Sequence, residues 1–348
     1  MRAMTTDAGI EIRRVAVLGT GAWGTTFAQV LADAGHSVSM WGRSQGVVDL
    51  INTGENSRYL PGIELSDTIR ATTSITEAVT GADLVAVVVP VAGVRPALEQ
   101  ARPALGPDTA IVSLAKGLEL ESLKTVDQIV AEAAQVDSSR VAVMSGPNLS
   151  REIAEHHPTA TVVASQNQAL AVAIAKACHN SYFRPYVSGD VIGTEIAGAT
   201  KNVIAVAIGA AEGLGLGLNT RSTLITRGLA EMTRLGTALG ADPGTFSGLA
   251  GIGDLMATCS SKLSRNFSLG HRLGRGLSLP EALERSSGVV EGVRAASPIL
   301  SLARSHGVDM PITEAVVRVV SGEATIEEMG EMLLGRPQKM DGWKIELL

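Results

Sequence analysis

The sequence is poor in cysteine. Its two, Cys178 and Cys259, lie far apart and form no C-x-x-C pair, which argues against a disulfide framework or a thiolate zinc site and suits a reducing cytoplasm. It also lacks a surplus of positive charge. With 29 Lys and Arg against 35 Asp and Glu the net charge is −6, so the footprint of a nucleic-acid binder is missing and nucleic acid is not an expected partner. No apolar run opens the chain: MRAMTTDAGIEIRR has no signal-peptide core, and residues 1–12 are expected to form a loose tail. No stretch exceeds the roughly 18 unbroken apolar residues of a membrane span, so none is expected. His156 and His157 have no metal-like partners nearby and read as a solvated pair on a turn before Pro158. No metal is expected. What the chain does have is ample apolar material, 45% hydrophobic against 18% charged over 348 residues, enough for two globular domains.

Part of that material forms a long apolar run in residues 191–219, VIGTEIAGATKNVIAVAIGAAEGLGLGLN, where Glu195 and Lys201 are the only charged residues between Val191 and Ala211. A charge in mid-run argues for a core helix of a soluble protein. A buried ammonium must be paired or neutralised, and lysines in that position readily serve as acid or base groups. The alternative is a lysine on the solvated edge of the helix, snorkelling past apolar neighbours.

The first half of the chain alternates strands and helices. Residues 14–18, RVAVL, run directly into Gly19-Thr20-Gly21-Ala22-Trp23-Gly24, with a helix-like segment over residues 25–34. Strand, G-x-G-x-x-G and helix in that order form the context of a dinucleotide fingerprint: glycines admit the backbone to a pyrophosphate, and the helix N-terminus supplies amides and dipole. The next strand, residues 36–41, ends at Gly42-Arg43. An NAD enzyme usually carries an acid here, whereas an arginine suits the 2′-phosphate of NADP. A surface charge is the plainer alternative for Arg43.

Residues 82–90 read as a buried parallel strand stopped by Pro90, residues 98–101 as helix, and residues 109–117 as a strand with Lys116 at its carboxyl end, where ligands of open α/β sheets sit. A strand at 141–144 ends in Ser145-Gly146-Pro147-Asn148, and residues 161–164 and 182–187 are weaker strand candidates. Helical segments at 123–134 and 168–177 complete a doubly wound, Rossmann-like α/β domain over residues 1–188. Beyond it strand signals nearly vanish. Helical stretches at 194–211, 220–239, 279–285, 292–306, 311–320 and 326–334 predict an all-α domain over residues 189–348. The glycine-rich 213–219 is expected to be a turn with close backbone approach rather than a tether.

Two later segments are dense in chemistry. LAGIGDLMAT presents Asp254 after a flexible turn, and Ser264-Arg265-Asn266 presents a fork of donors suited to a phosphate. A helix cap for Asp254 and a surface arginine for Arg265 are the alternatives. Together with GTGAWG at 19–24, SLAKG at 113–117, SGPN at 145–148, ATKNV at 199–203 and VVEG at 289–292, these motifs resemble the bacterial NAD(P)-dependent glycerol-3-phosphate dehydrogenase family, in order, over about residues 13–335.

That resemblance implies a Rossmann domain followed by a helical domain, and reversible hydride transfer between NAD(P)H and dihydroxyacetone phosphate to give sn-glycerol 3-phosphate, the backbone of phospholipids. It implies Lys201 as general acid and base, with Lys116 beside substrate and nicotinamide and Asp254 orienting Lys201 and binding a hydroxyl. An adjacent Lys116 ammonium is expected to favour neutral Lys201. Substrate contacts are implied at Lys116, Gly146, Asn148, Lys201, Asn202 and Asp254, with Ser264, Arg265 and Asn266 gripping the phosphate. Cofactor contacts are implied at Gly19, Gly21, Ala22, Trp23, Gly24, Arg43, Lys116, Ser150, Arg265, Val289 and Glu291, for NADP(H), NAD(H) or both, NADP(H) favoured. Ala22 departs from relatives that carry a hydroxyl there, and backbone amides are expected to do its work. A cytoplasmic enzyme, and a homodimer as its assembly, complete the expectations. Two rival readings are a related two-domain dehydrogenase acting on a 3-hydroxy acid, which needs a carboxylate site, and a non-catalytic NADP(H) sensor, which needs no such polar set.

Overall fold

A computed structural model of the protein describes residues 10–286 and 288–335. Residues 1–9 of the expected tail and residues 336–348 of the expected helical domain lie outside the described residues. The described chain divides into two compact units. One holds residues 10–115 with Val126–Val191; the other holds Lys116–Thr125 with the described residues from Ile192 on.

The first unit is built on one eight-stranded sheet: β1 (Arg14–Leu18), β2 (Ser37–Trp41), β3 (Ile69–Thr72), β4 (Leu84–Val87), β5 (Ala110–Ser113), β6 (Val141–Ser145), β7 (Thr159–Ala164) and β8 (Phe183–Ser188). Their order is β3-β2-β1-β4-β5-β6-β7-β8. Neighbours are parallel except β6 and β7. The strands β4, β5 and β6 are buried along their whole length, which is why they read as continuous apolar runs rather than alternating ones. Helices α1 (Ala22–Asp33), α2 (Gln45–Asn52), α3 (Ile75–Val79), α4 (Val91–Ala101), α5 (Val126–Ala134), α6 (Ser150–Ala154) and α7 (Gln168–Cys178) connect the strands. One core cluster gathers Phe27, Leu31, Leu170 and Phe183; another gathers Val94, Leu98, Ile129 and Val130.

Several features differ from the sequence reading. The weakly expected β7 and β8 are full strands; β8 carries Arg184, Pro185 and an exposed Tyr186, a composition that an edge strand tolerates. The short strand β3, with the sequence IRAT, has too little apolar pattern to be seen. His156 is not simply solvated. Its ring stacks on Tyr182 at a centroid distance of 4.3 Å, and its Nε2 lies 3.4 Å from Asp33.

The second unit is helical: α8 (Val191–Gly213), α9 (Leu218–Ala238), α10 (Pro243–Phe246), α11 (Asp254–Ser260), α12 (Arg265–Gly274), α13 (Leu279–Glu284), α14 (Glu291–Ser305), α15 (Pro311–Val320) and α16 (Ile326–Leu334). By length and composition α8 could cross a membrane, but 89% of its most apolar window is buried within the protein, as a core helix requires. Its backbone packs directly against α12. A Cβ on Gly209 would lie 2.1 Å from the Phe267 carbonyl oxygen, and one on Gly270 would lie 2.0 Å from the Val206 carbonyl oxygen. Only glycine permits that crossing, which brings residues near the start of α12 beside the middle of α8.

The strand expected through Lys116 ends at Ser113, and residues 116–125 cluster with the helical unit. Leu118 explains the transfer, because it is buried in the core formed by Ile196, Val203, Phe246 and Leu255. The expected boundary at residues 188–189 compares with a division after Val191.

Candidate functional site

In the first unit the candidate residues gather at the carboxyl ends of the strands. The register pairs Leu18 with both Trp41 and Val87, so the loop after β1 emerges between β2 and β4, where the strand order reverses. Such switch points are where open α/β sheets bind ligands. The Gly19 amide donates to the Trp41 carbonyl at 2.9 Å, and a Cβ on Gly24 would lie 2.0 Å from the Gly19 carbonyl oxygen, so turn and helix close on each other. A Cβ on Gly21, by contrast, would meet nothing within 4 Å. Gly21 is also the N-cap of α1 and has no side chain capping the amides of Ala22 and Trp23. This cradle, open at Gly21 and walled by backbone, fits a dinucleotide pyrophosphate. Ala22 needs no hydroxyl there, since amides at a helix start donate without help. Trp23 is half-buried against Phe27, with ring centroids 5.8 Å apart. Arg43, directly after β2, is exposed and makes no ion pair among the described residues.

At the end of β6, Gly146 has a φ of +150° and packs against Thr161, which a side chain would crowd. The Asn148 Nδ2 donates to the Thr161 hydroxyl at 3.0 Å, and that hydroxyl donates to the Ser145 carbonyl at 3.1 Å. Because a carbonyl only accepts, Thr161 must donate to it and accept from Asn148, which fixes the amide's orientation. Asn148 Oδ1 and Ser145 Oγ are buried without a hydrogen-bond partner among the described residues. Ser150 opens α6 alongside. Nothing in the linear pattern signals the part that Thr161 and Ser145 play, because it depends on β6 and β7 pairing.

In the second unit three charged side chains from distant segments meet. Lys201 Nζ lies 2.6 Å from Asp254 Oδ1, and Lys116 Nζ lies 2.7 Å from Asp254 Oδ2. Each carboxylate oxygen thus holds one ammonium. Lys201 and Asp254 are 7% and 1% exposed, which removes the snorkelling and simple cap alternatives. Asp254 does stand in the first turn of α11, where the helix dipole favours its charge. Burial by itself raises the Asp254 carboxyl, but the Lys116 and Lys201 ammoniums outweigh it and hold it below its ordinary value. Burial pushes Lys116 down to about 8, against Asp254, with the Lys201 charge acting in the same direction as burial. Asp254 thus contacts Lys201, as expected of a group that orients it, and holds Lys116 as well.

Lys201 also donates to the Thr258 hydroxyl at 2.8 Å. Thr258 is absent from the expected site residues, although it follows Asp254 by four residues, the spacing that puts two side chains on one helix face. A second polar chain lies alongside. Asn266 Nδ2 donates to Asn202 Oδ1 at 2.8 Å, while Asn266 Oδ1 accepts the Gly292 amide at 2.8 Å. One N–H of Asn266 stays available to a ligand. Ser264 caps α12 by accepting the Phe267 amide at 3.3 Å, leaving its hydroxyl proton to donate. Arg265 is exposed at the start of α12, its guanidinium against Gly288, where a Cβ would come within 2.9 Å of it. Val289 and Glu291 follow at the start of α14.

Two family models cover the chain: the N-terminus of NAD-dependent glycerol-3-phosphate dehydrogenase matches residues 14–171, and its C-terminus matches residues 190–331. The chain belongs to the NAD-dependent glycerol-3-phosphate dehydrogenase family. A glycerol-3-phosphate dehydrogenase (NAD(P)+) of Streptomyces griseus is 53% identical over 322 residues, 92% of this chain and 96% of the relative. One from Parafrankia sp. is 50% identical over 328 residues, covering 94% and 98%. A crystal structure of glycerol-3-phosphate dehydrogenase from Coxiella burnetii, 35% identical, superposes with a TM-score of 0.89 over 94% of this chain and 100% of that one. Membership in the glycerol-3-phosphate dehydrogenase family agrees with what each unit presents by itself: an open backbone cradle after β1 in the first, a cationic buried cluster in the second.

Proposed function

We propose that this protein is an NAD(P)-dependent glycerol-3-phosphate dehydrogenase that interconverts dihydroxyacetone phosphate and sn-glycerol 3-phosphate and so feeds glycerophospholipid synthesis. The observation that carries this reading is the buried Lys116–Asp254–Lys201 cluster, in which two ammoniums share one carboxylate. Its excess positive charge suits an anionic substrate and a developing alkoxide. When bound, the nicotinamide supplies the hydride to the carbonyl carbon. Lys201 spends two of its three N–H groups on Asp254 and Thr258, and the third donates to the substrate oxygen. As negative charge grows on that oxygen, the same N–H transfers its proton, and Asp254 holds the amine in place throughout. In the reverse direction neutral Lys201 takes the hydroxyl proton.

Arg265, Asn266 and Ser264 supply donors for the phosphate, the guanidinium binding two oxygens at once. Asn202 holds Asn266, and Asn148 at the end of β6 offers its acceptor oxygen to a substrate hydroxyl. Gly19 to Gly24 take the cofactor pyrophosphate, with Ser150, Val289 and Glu291 as further cofactor contacts. Arg43, exposed and without an ion partner among the described residues, supports use of NADPH at least as well as NADH. Both cysteines are free and buried, which fits a reducing cytoplasm. The test is to mix the protein with NADPH or NADH and dihydroxyacetone phosphate and follow absorbance of the reduced cofactor. Oxidation that requires the phosphate ester is expected. Oxidation driven instead by a 3-oxo acid, or cofactor binding without any turnover, would overturn the reading in favour of a hydroxy-acid dehydrogenase or a cofactor sensor.

A further inference from the structure

Asn56 lies in the segment after α2, far in sequence from any motif assigned above, and it is completely buried. Its Nδ2 donates to the Thr20 carbonyl at 3.0 Å and to the Thr25 hydroxyl at 2.7 Å. Thr20 is the residue between the first two glycines of the loop, and Thr25 stands in the first turns of α1. A carbonyl only accepts, so the Thr20 contact identifies the atom facing it as nitrogen.

The peptide plane gives this contact its consequence. In a trans peptide the C=O of one residue and the N–H of the next point in opposite directions. By drawing the Thr20 carbonyl inward, Asn56 turns the Gly21 N–H outward, away from the core. A Cβ on Gly21 would meet no atom within 4 Å, so the loop is open at this residue. The Thr20 side chain is confined from its other side as well, since a Cβ on Gly42 would lie 2.5 Å from its methyl and hydroxyl. The Gly19 amide is tied to Trp41. Among the described residues, Asn56 is the one side chain from outside the fingerprint that hydrogen-bonds the peptide between the first and second glycines.

We propose that Asn56 is a positioning residue for the cofactor: it orients the Thr20–Gly21 peptide so that the Gly21 amide donates to the dinucleotide pyrophosphate, and it locks this loop to the first turns of α1. The inference rests on the reading that residues 19–24 seat the pyrophosphate. Asn56 touches neither cofactor nor substrate, so its removal acts on cofactor binding and leaves the Lys201 chemistry intact.

The experiment compares Asn56→Asp, Asn56→Ser and Gly21→Val with the parent, measuring NADPH dissociation constants, the KM of both substrates, kcat at saturating NADPH and melting without ligand. Asn56→Asp keeps the shape but sets an acceptor against the Thr20 carbonyl, and Asn56→Ser cannot reach both partners. For a folded Asn56 variant the NADPH dissociation constant and KM should rise about tenfold or more, the effect of losing one oriented donor, while the KM of dihydroxyacetone phosphate and kcat stay within about twofold. Should the aspartate variant fail to fold, the serine variant decides. A purely structural role for Asn56 would lower the melting temperature and leave the NADPH constant unchanged, and that result overturns the inference. Gly21→Val separates the two levels of argument, because its side chain enters open space and the fold survives. If Gly21→Val loses NADPH while the Asn56 variants keep it, the Asn56 inference alone fails; if Gly21→Val binds NADPH like the parent, the reading of the loop fails and takes the inference with it.

Discussion

The two units do their chemical work with different parts of the polypeptide. In the first, the candidate groups are mostly backbone: glycines at residues 19, 21 and 24, the start of α1, and a glycine at the end of β6, all within short contiguous stretches. In the second they are side chains drawn from residues 116, 201, 254, 258 and 266, and no two of the three charged groups are closer in sequence than 53 positions. Backbone sites are local because strand, turn and helix follow one another along the chain. Side-chain clusters are not, because a buried charge needs partners that only packing can deliver. The difference teaches where each unit is vulnerable: the first to anything that fills or reorients a loop, the second to the loss of one ion.

The largest effect should come from the centre of the side-chain cluster. Lys201→Ala is expected to fold, because Asp254 keeps Lys116 as a partner, and to bind NADPH as before. Its kcat should fall by about 10²–10⁴, the usual contribution of a positioned general acid. Lys201→Arg should not restore activity, since a guanidinium stays protonated and cannot cycle. A kcat within tenfold of the parent, alongside an unchanged cofactor titration, would return Lys201 to a structural part.

Arg265→Ala comes next. Loss of a charged, two-pronged phosphate contact should weaken dihydroxyacetone phosphate by roughly 1.5–3 kcal/mol, read as a rise in its KM, with a smaller change for NADPH. Equal losses for both ligands would show that Arg265 serves the two alike and would blur the contrast between the units.

The titration of Lys116 gives a third measurement. Its folded value of about 8 lies below the 10.5 of a free lysine, so its charge is present below about pH 8 and lost above it. The KM of dihydroxyacetone phosphate should therefore rise above pH 8, by up to about tenfold per pH unit if only the charged form binds. In Lys116→Met the KM should be high and flat across that range. A parent KM that does not change from pH 7 to pH 9.5 would mean the charge is not used for substrate. The sign for stability is opposite: between about 8 and 10.5 the unfolded chain binds more protons, so this group contributes increasing stability as pH rises.

The smallest effect belongs to the first unit. Arg43→Asp should shift the ratio of kcat/KM for NADPH over NADH toward NADH by about tenfold or somewhat more, by replacing attraction to the 2′-phosphate with repulsion. Because Arg43 is an exposed side chain, solvent screens its effect. An unchanged ratio would leave cofactor choice to the backbone.

Much of the first unit is legible in the amino-acid sequence, because a parallel strand buried on both faces must be apolar throughout and a glycine fingerprint must follow it directly. What escapes is short or polar. IRAT of β3 lacks the apolar run, the edge strand β8 gives only a weak one, and Asn56 belongs to no motif, its meaning lying in the peptide it grips. In the second unit the apolar stretch around Lys201 and the acid after Gly253 stand out, as do most helices. The helices α11 and α12 do not, since α11 is only seven residues long and Ser268 and Gly270 interrupt the apolar pattern of α12.

By itself, then, the amino-acid sequence determined which segments become strands and helices over most of the chain, that a glycine fingerprint follows β1, and that one lysine stands in mid-run among apolar residues, to be either buried and paired or snorkelled to the surface. Periodicity, glycine placement and the cost of desolvating a charge are local or compositional facts. Only the tertiary structure decided that Asp254 divides its two oxygens between Lys201 and Lys116, that Lys116 leaves the sheet to join the helical unit, and that Gly209 and Gly270 let α8 and α12 meet closely enough for Asn202 to hold Asn266. Those are matters of distance between segments separated by tens of residues, and no property of one segment fixes the distance to another until both are packed.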